Sequence, residues 1–340
     1  GPGIFLGIGQ QGRDHEGRAL VLVKAAGDLD LGHLLPGRQV HPEGGLQRLY
    51  VLADSTGRDA QLVCAPRRKG GGQLMRARRL VVLAPVLAAL GAEPVVADIE
   101  EPAAMAQVLA SSSAVRVFAL NPPGSIAGDP DADEDRTADA IAAALDAAIV
   151  DRVVALSTYG ARPGRQIGDL GTLYRFESLL ADLNVPTAIV RAGYLFSNWD
   201  GAAETARTQG QIAALLDPTC LLPMVAPADV GREAARLLQL NEPDRRVHHV
   251  EGPHRYTPDD VAQAFADALG LPVAVKRTPP QKWRTAFLEA GFSTAAADSF
   301  TGLTALANCD HWDVDGDPTR GTITLKDYIN DLLVPDAKEQ

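Results

Sequence analysis

From about residue 86 onward, short apolar runs alternate with amphipathic ones. "PVVAD" (94–98), "VRVFALN" (115–121), "RVVALS" (152–157) and "TAIVRAG" (187–193) are five to seven residues long and mostly apolar on both faces. Between them lie stretches with helical spacing: "PVLAALGA" (85–92), "EPAAMAQVLASSS" (101–113), "RTADAIAAALDAAIV" (136–150) and "LGTLYRFESLLADLN" (170–184). Short strands without polar alternation are buried on both sides, and the helices between them supply the cover. The pattern predicts an α/β fold with a doubly wound parallel sheet, its strands near 95–97, 115–120, 153–157 and 187–191.

Beyond Tyr194 the rhythm changes. Helices are predicted around "GAAETARTQGQIAALL" (201–216), "APADVGREAARLLQL" (226–240), "TPDDVAQAFADALG" (257–270), "PPQKWRTAFLEAG" (279–291) and "LKDYINDLL" (325–333), with a strand near "VHHVEG" (247–252). Residues 1–193 thus read as the sheet domain. Residues 194–335 read as a smaller, mostly helical lobe, interleaved with the sheet and laid over its carboxyl edge. Residues 1–85 hold 15 of the 32 glycines, and only "RALVLV" and "AQLVCA" look like strands there.

In a doubly wound sheet, ligands bind outside the carboxyl ends of the strands. "FALNPPG" stops a strand with Pro122 and Pro123, which cannot donate to a ladder and would leave a rigid rim or a plain turn. Ser157, Thr158 and Tyr159 end the most apolar strand, where hydroxyls can bond a cofactor ribose, polarise a carbonyl or merely cap a turn. Gly193 follows the next strand and would let the chain pass close to a ring. Tyr194, Asn198 and Trp199 are candidates to line a substrate pocket, or to pack a lobe interface. Asp98 would meet an adenine or cap the next helix. Gly27 and Gly32, in "LVLVKAAGDLDLGHLL", are the candidates for a pyrophosphate loop, although they do not spell the usual glycine fingerprint. Arg67 and Arg68 lie where cations select the 2'-phosphate of NADP over NAD, with a solvated basic loop as the plain alternative.

Charge and cysteine content narrow the field. The formal charge of -11 argues against a nucleic-acid partner or an anionic membrane surface. The imbalance is uneven, with 12 Lys and Arg against 7 Asp and Glu in residues 1–85 and 20 against 36 thereafter. Cys64, Cys220 and Cys309 are isolated and lack metal-ligand spacing, so no metal site or disulfide framework is expected and a reducing cytoplasm fits. The longest apolar stretch, from Leu80, is too short and Pro-interrupted to span a bilayer. Asp229 reads as a helix N-cap, His248 and His249 as strand residues without a third ligand, and "DPDADED" (129–135) as a solvated loop and helix start.

"VVADIEEP", "VFALNPPG", "RVVALSTYGA", "GTLYRFESLL", "TAIVRAGYLFSNW" and "PADVGREAARLL", in this order, resemble the NmrA-like branch of the atypical short-chain dehydrogenases/reductases. The later "VEGPHRYTPDDVAQAFADALGLPV" is also similar. The resemblance spans residues 86 to 335 and implies an NAD(P)-binding domain of the Rossmann type with a C-terminal substrate lobe. NADP(H) is the expected cofactor ahead of NAD(H), on account of Arg67 and Arg68. Two departures accompany it. The glycine-rich opening is reduced to "VKAAGDLDLG", so the pyrophosphate loop has been rebuilt or lost, or this segment does not derive from the family's usual start. The family's Tyr-x-x-x-Lys pair is also missing: matching its following glutamate to Glu177 puts Leu173 at the lysine position and Asp169 at the tyrosine position. Leu173 has no charge, an aspartate of ordinary pKa is no acid at neutral pH, and Tyr174 points about 100° away on the helix.

Two functions follow from these residues. One is an oxidoreductase that reduces a small carbonyl, quinone or enone, with Tyr159 or water as the proton source. The other is a non-catalytic NADP(H) redox sensor that signals to a protein partner. A third outcome is a chain that binds no dinucleotide.

Overall fold

The computed structural model describes residues 99–112, 116–242, 244–309 and 312–333, together with three short strands at 23–25, 61–63 and 92–95. Those strands, β1 (Val23–Ala25), β2 (Gln61–Val63) and β3 (Ala92–Val95), form a small sheet in which β3 runs parallel to β2 and antiparallel to β1. This corrects one expectation. The described strand at 92–95 does not join the other three predicted strands but lies between β1 and β2.

The chain then alternates. Helix α1 (Pro102–Ser112) leads to β4 (Arg116–Ala119), α2 (Pro130–Ala147) to β5 (Arg152–Thr158), and α3 (Asp169–Ala181) to β6 (Thr187–Ala192). After β7 (Tyr194–Leu195) come α4 (Ala203–Gln209), β8 (Gln211–Ala214), β9 (Met224–Val225) and α5 (Pro227–Gln239). Next are β10 (Val247–Glu251), α6 (Pro258–Leu269), β11 (Ala274–Arg277), α7 (Trp283–Glu289), α8 (Thr294–Cys309), β12 (Thr319–Arg320) and α9 (Leu325–Leu333).

The main sheet has the order β12-β10-β6-β5-β4, and every pairing in it is parallel. It is an α/β sheet of the doubly wound, Rossmann-like kind. Val153, Val154 and Ala155 of β5 and Val190 of β6 are inaccessible to solvent, because α2 and α3 cover one face and α5 the other. Phe176 and Leu180 of α3 and Ala234 and Leu237 of α5 complete that core. A second core, with Phe196, Trp199, Ile212, Phe265, Trp283, Phe287 and Phe300, belongs to the residues beyond β6.

Several local details decide where the loops go. "DPDADED" is the helix start: Asp129 is the N-cap, accepting from the Ala132 amide at 3.1 Å, and Pro130 opens α2. The acids complement the positive end of the helix. Residues 201–216 are not one helix. Gly210, in the left-handed region (φ 61°), ends α4 and turns the chain into β8, which pairs in parallel with β11. Asp229 is not a cap but a buried receiver: its carboxylate accepts the amides of Thr322 and Ile323, both at 3.1 Å, and so ties the segment after β12 to α5.

Helix α8 lies across the loops that follow β4 and β5. The Ser293 amide donates to the Ile126 carbonyl (2.7 Å), and a Cβ on Gly302 would lie 2.0 Å from the Gln166 carbonyl oxygen. The carboxyl edge of the sheet is therefore roofed by the chain's later residues.

Candidate functional site

The rim after β4 is fastened to the first turns of α2. Asn121 donates through Nδ2 to the Glu134 carbonyl (3.0 Å) and accepts through Oδ1 from Thr137 Oγ1 (2.6 Å). The Gly124 amide donates to Glu134 Oε1 at 2.7 Å, and the Ser125 amide to Asp133 Oδ2 at 3.0 Å. Any side chain at 124 would strike the Pro130 backbone, with its Cβ 2.3 Å from the Pro130 Cα, so glycine is required there. Thr172 of α3 donates to the other oxygen of Glu134. Burial pushes the Glu134 carboxyl up to about 7, against the pull of its two donors. Pro122 is buried and Pro123 half-buried in this segment.

At the ends of β5, β6 and β10 the register sets Ser157 opposite Arg191 and Arg191 opposite His249. This polar row lies on the face covered by α3. Arg191 makes a two-pronged contact with Glu177, Nε to Oε1 at 2.9 Å and Nη2 to Oε2 at 2.6 Å, and Ser157 Oγ donates to the same carboxylate. Burial, then the Arg191 charge, holds the His249 imidazole below its ordinary pKa.

One step further along, Tyr159 packs edge-on to His249 with ring centroids 4.9 Å apart, and its hydroxyl donates to Glu251 Oε1 at 3.3 Å. Glu251 is fully buried and is also met by Arg255 (3.0 Å) and Arg320 (3.3 Å). Arg255 reaches on to the Trp312 carbonyl at 2.8 Å. The Trp312 ring abuts Gly160, whose Cβ would come within 3.0 Å of it.

These contacts bear on three of the residues that the sequence singles out. Tyr159 does not present a free proton donor, since its hydrogen is given to Glu251, and burial together with that carboxylate raises its pKa. The Ser157 hydroxyl is likewise spent, on Glu177. Gly193 makes room for a carbonyl rather than a ring: its Cβ would fall 2.0 Å from the Pro223 oxygen, where β7 pairs with β9. Thr158, half-buried, ends β5 on the opposite face from Ser157.

Tyr194, Asn198 and Trp199 do come together. Tyr194 and Trp199 are tilted rings with centroids 6.0 Å apart, and Asn198 hydrogen-bonds the Tyr194 side chain. The buried indole N–H of Trp199 has no hydrogen-bond partner among the described residues. Gly27, Gly32, Arg67, Arg68 and Asp98 lie outside the described residues.

Asp169 departs from the expected ordinary acidity. Burial, then the nearby Asp131 charge, raises it to about 6, so a carboxylic acid occurs at that position at mildly acidic pH. Leu173 packs against the main core, as an uncharged residue there should.

The sequence reading gave no site role to Glu134, Glu177, Arg191, Glu251, Arg255, Arg320 or Trp312, and used Glu177 only to place Leu173 and Asp169. A signal was present for four of them. Arg191 interrupts an apolar strand and Glu177 an apolar helix face, and Glu251 and Arg255 stand four apart; buried charges of opposite sign are expected to find one another.

Among the described residues, no helix is long and apolar enough to cross a membrane, and no group of three or more His, Cys, Asp or Glu could hold a metal ion.

Comparison with known proteins places this edge in context. Residues 68–205 match the model of an NAD(P)H-binding family. No curated protein matches the chain. In fold the chain is similar to the triphenylmethane reductase of Citrobacter sp. complexed with NADP(H), with a TM-score of 0.60 and 15% identity, covering 84% of this chain and 90% of that one. It is also similar to the NADPH-dependent quinone oxidoreductase of Escherichia coli complexed with NADPH, with a TM-score of 0.55 and 19% identity, covering 83% of this chain and 90% of that one. A nucleoside-diphosphate-sugar epimerase from Staphylococcus aureus shares the fold at a TM-score of 0.53 and 11% identity, over 69% of this chain and 82% of that one. The matched segment holds the rim, the end of β5 and the Tyr194–Trp199 group, on a fold similar to that of these solved proteins.

Proposed function

We propose that the chain is an NAD(P)H-dependent oxidoreductase that reduces a small neutral acceptor, a carbonyl compound, quinone or enone. The observation that carries this reading is the match of residues 68–205 to an NAD(P)H-binding family, over the segment that builds the carboxyl edge of the sheet. The donor set there suits a nicotinamide and an uncharged substrate. The Thr158 side chain at the strand end would meet a ribose or carboxamide. The Trp199 indole N–H, which the described protein leaves unused, would meet a substrate oxygen. Bound NAD(P)H supplies the hydride; the protein's own part is to orient, to exclude water and to fix the rim. With Tyr159 committed to Glu251, the proton in this reading comes from water.

NADP(H) is preferred in this reading because Arg67 and Arg68 follow β2, where a 2'-phosphate would lie. The cytoplasm is its setting on the grounds of cysteine usage. Calorimetric titration of the purified chain with NADPH and NADH, followed by assays on quinones, enones and aldehydes, tests the whole. Tighter binding of NADPH, its selective loss in Arg67→Ala/Arg68→Ala, and NADPH oxidation on at least one acceptor are expected. Equal affinity for the two cofactors would remove the arginine assignment.

A second reading, a redox sensor that binds NADP(H) and contacts a protein partner, is favoured by the engaged Tyr159 hydroxyl and by Leu173 in place of lysine. Binding of NADPH with no turnover on the full panel would select it.

A further inference from the structure

We propose that Glu134 is a positioning residue for the cofactor. Its carboxyl group clamps the Pro122–Gly124 rim to α3, and the proton on that carboxyl is exchanged in step with NAD(P)H binding. The proposal rests on the reading of the carboxyl edge as the cofactor cleft.

The geometry is that of a clamp with three jaws. One oxygen of Glu134 holds the rim through the Gly124 amide (2.7 Å), the other holds Thr172 of α3, and the Glu134 main-chain carbonyl holds Asn121 (3.0 Å). All three partners are fixed from elsewhere. Gly124 is pressed against Pro130, Asn121 is bonded to Thr137, and Thr172 belongs to a helix packed on β5. This one side chain therefore couples the rim to α3, the helix packed on the strand that ends in Thr158.

The charges around the clamp determine the direction of the effect. Asp131, on the same helix, and Asp169, on α3, both face Glu134 and disfavour its ionised form. Asp131 accepts from Ser299 of α8 at 2.6 Å, and Asp133 pairs with Arg136, so α8 contributes a hydroxyl rather than a cation. The Gly124 amide and the Thr172 hydroxyl favour the ionised form, but burial outweighs them and holds the group near neutrality. An anionic dinucleotide arriving at the rim adds negative charge to this set and favours the protonated carboxyl. Binding then takes up a proton, and affinity falls as pH rises through about 7.

The test uses the full chain with NADPH as the probe, comparing the unmodified protein with Glu134→Gln, which has the shape of the protonated acid. Calorimetry at pH 6 and pH 8 reads affinity, and hydrogen exchange of the peptide over residues 118–128, corrected for intrinsic pH dependence, reads the rim. The unmodified protein is expected to lose at least threefold more affinity than the variant between pH 6 and pH 8, with slower rim exchange at pH 8, where the ionised carboxyl accepts more strongly, that the variant does not show. Should Glu134→Gln not fold, Thr172→Val takes its place. It removes a donor to the ionised form and is expected to move the exchange midpoint to higher pH. The same pH dependence of rim exchange in protein and variant overturns the clamp. Rim exchange that differs as expected, with no matching change in NADPH affinity or no NADPH binding at all, overturns the link to the cofactor and, with it, the placing of the cleft.

Discussion

Glu134 carries a pH dependence of stability that can be worked out from its surroundings. Its pKa rises from 4.5 when free in the chain to about 7 in the folded protein, so the native state binds the proton more tightly than the unfolded one. A group of this kind contributes most below pH 4.5, and its contribution is lost as pH rises to about 7. The total is about 3 kcal/mol at most. Thermal melts from pH 5 to pH 8 are expected to show a falling Tm in the unmodified protein and a flatter profile in Glu134→Gln. Parallel profiles would mean that the proton resides elsewhere. Tyr159→Phe is a milder change. It removes one donor from a carboxylate still held by Arg255 and Arg320, so a loss of about 1 kcal/mol is expected in denaturant melts, with NADPH affinity nearly unchanged. At this scale the sequence was only half legible. The position of Tyr159 at a strand end could be read, but its partner Glu251 lies on a strand far along the chain, and no local spacing reveals that contact. Asp169 could be placed on its helix, but its raised acidity depends on burial and on Asp131, which only the packing of α2 against α3 supplies.

Elements were easier to read than contacts. Strands β4, β5 and β6 stand where the apolar runs put them, because a sheet buried on both faces writes itself as uninterrupted Val, Ala and Ile. Misreadings arose where one signal masked another. The acids of 129–135 read as a solvated loop and helix start, and the helix takes nearly all of them; the helical spacing of 201–216 hid Gly210 and the strand after it. Helix α8, rich in Ala, Ser and Thr, had too weak an apolar face to stand out. One element depends on a side chain from a different strand. The end of α5 is capped by Arg152 of β5, which donates to the carbonyls of Leu237 and Leu238 (both 3.1 Å), Leu240 and Glu242 (2.8 Å), with Arg116 adding a bond to Leu238 (2.8 Å). Arg152→Met keeps much of the volume but strands several buried carbonyls. A loss of about 3 kcal/mol or more is expected in urea melts. A change below about 1 kcal/mol would show that water replaces the guanidinium.

Where α8 crosses the loop after β5, the packing leaves no slack. Gly302 of α8 touches the Gln166 carbonyl, and Gln166 itself has a positive φ of 55°, so neither backbone yields easily. Gly302→Ala is expected to lower stability by about 1–3 kcal/mol and to open the loop over residues 160–168 to protease before the sheet itself is cut.

The strand order has a consequence for how the protein is made. In the sheet, β6 is flanked by β5 on one side and β10 on the other, and β10 in turn by β12. During synthesis β6 leaves the ribosome long before its second neighbour exists. Its outer edge, where the Ile189 amide will donate to Arg246 and the Gly193 amide to Val250, stays bare until that neighbour is translated. An unpaired apolar edge is a template for the wrong partner. Nascent chains arrested after residue 245 should therefore be protease-sensitive and bound by chaperones, whereas chains released beyond residue 333 should be resistant. For this fold, the dangerous interval in the life of the molecule comes before it is finished.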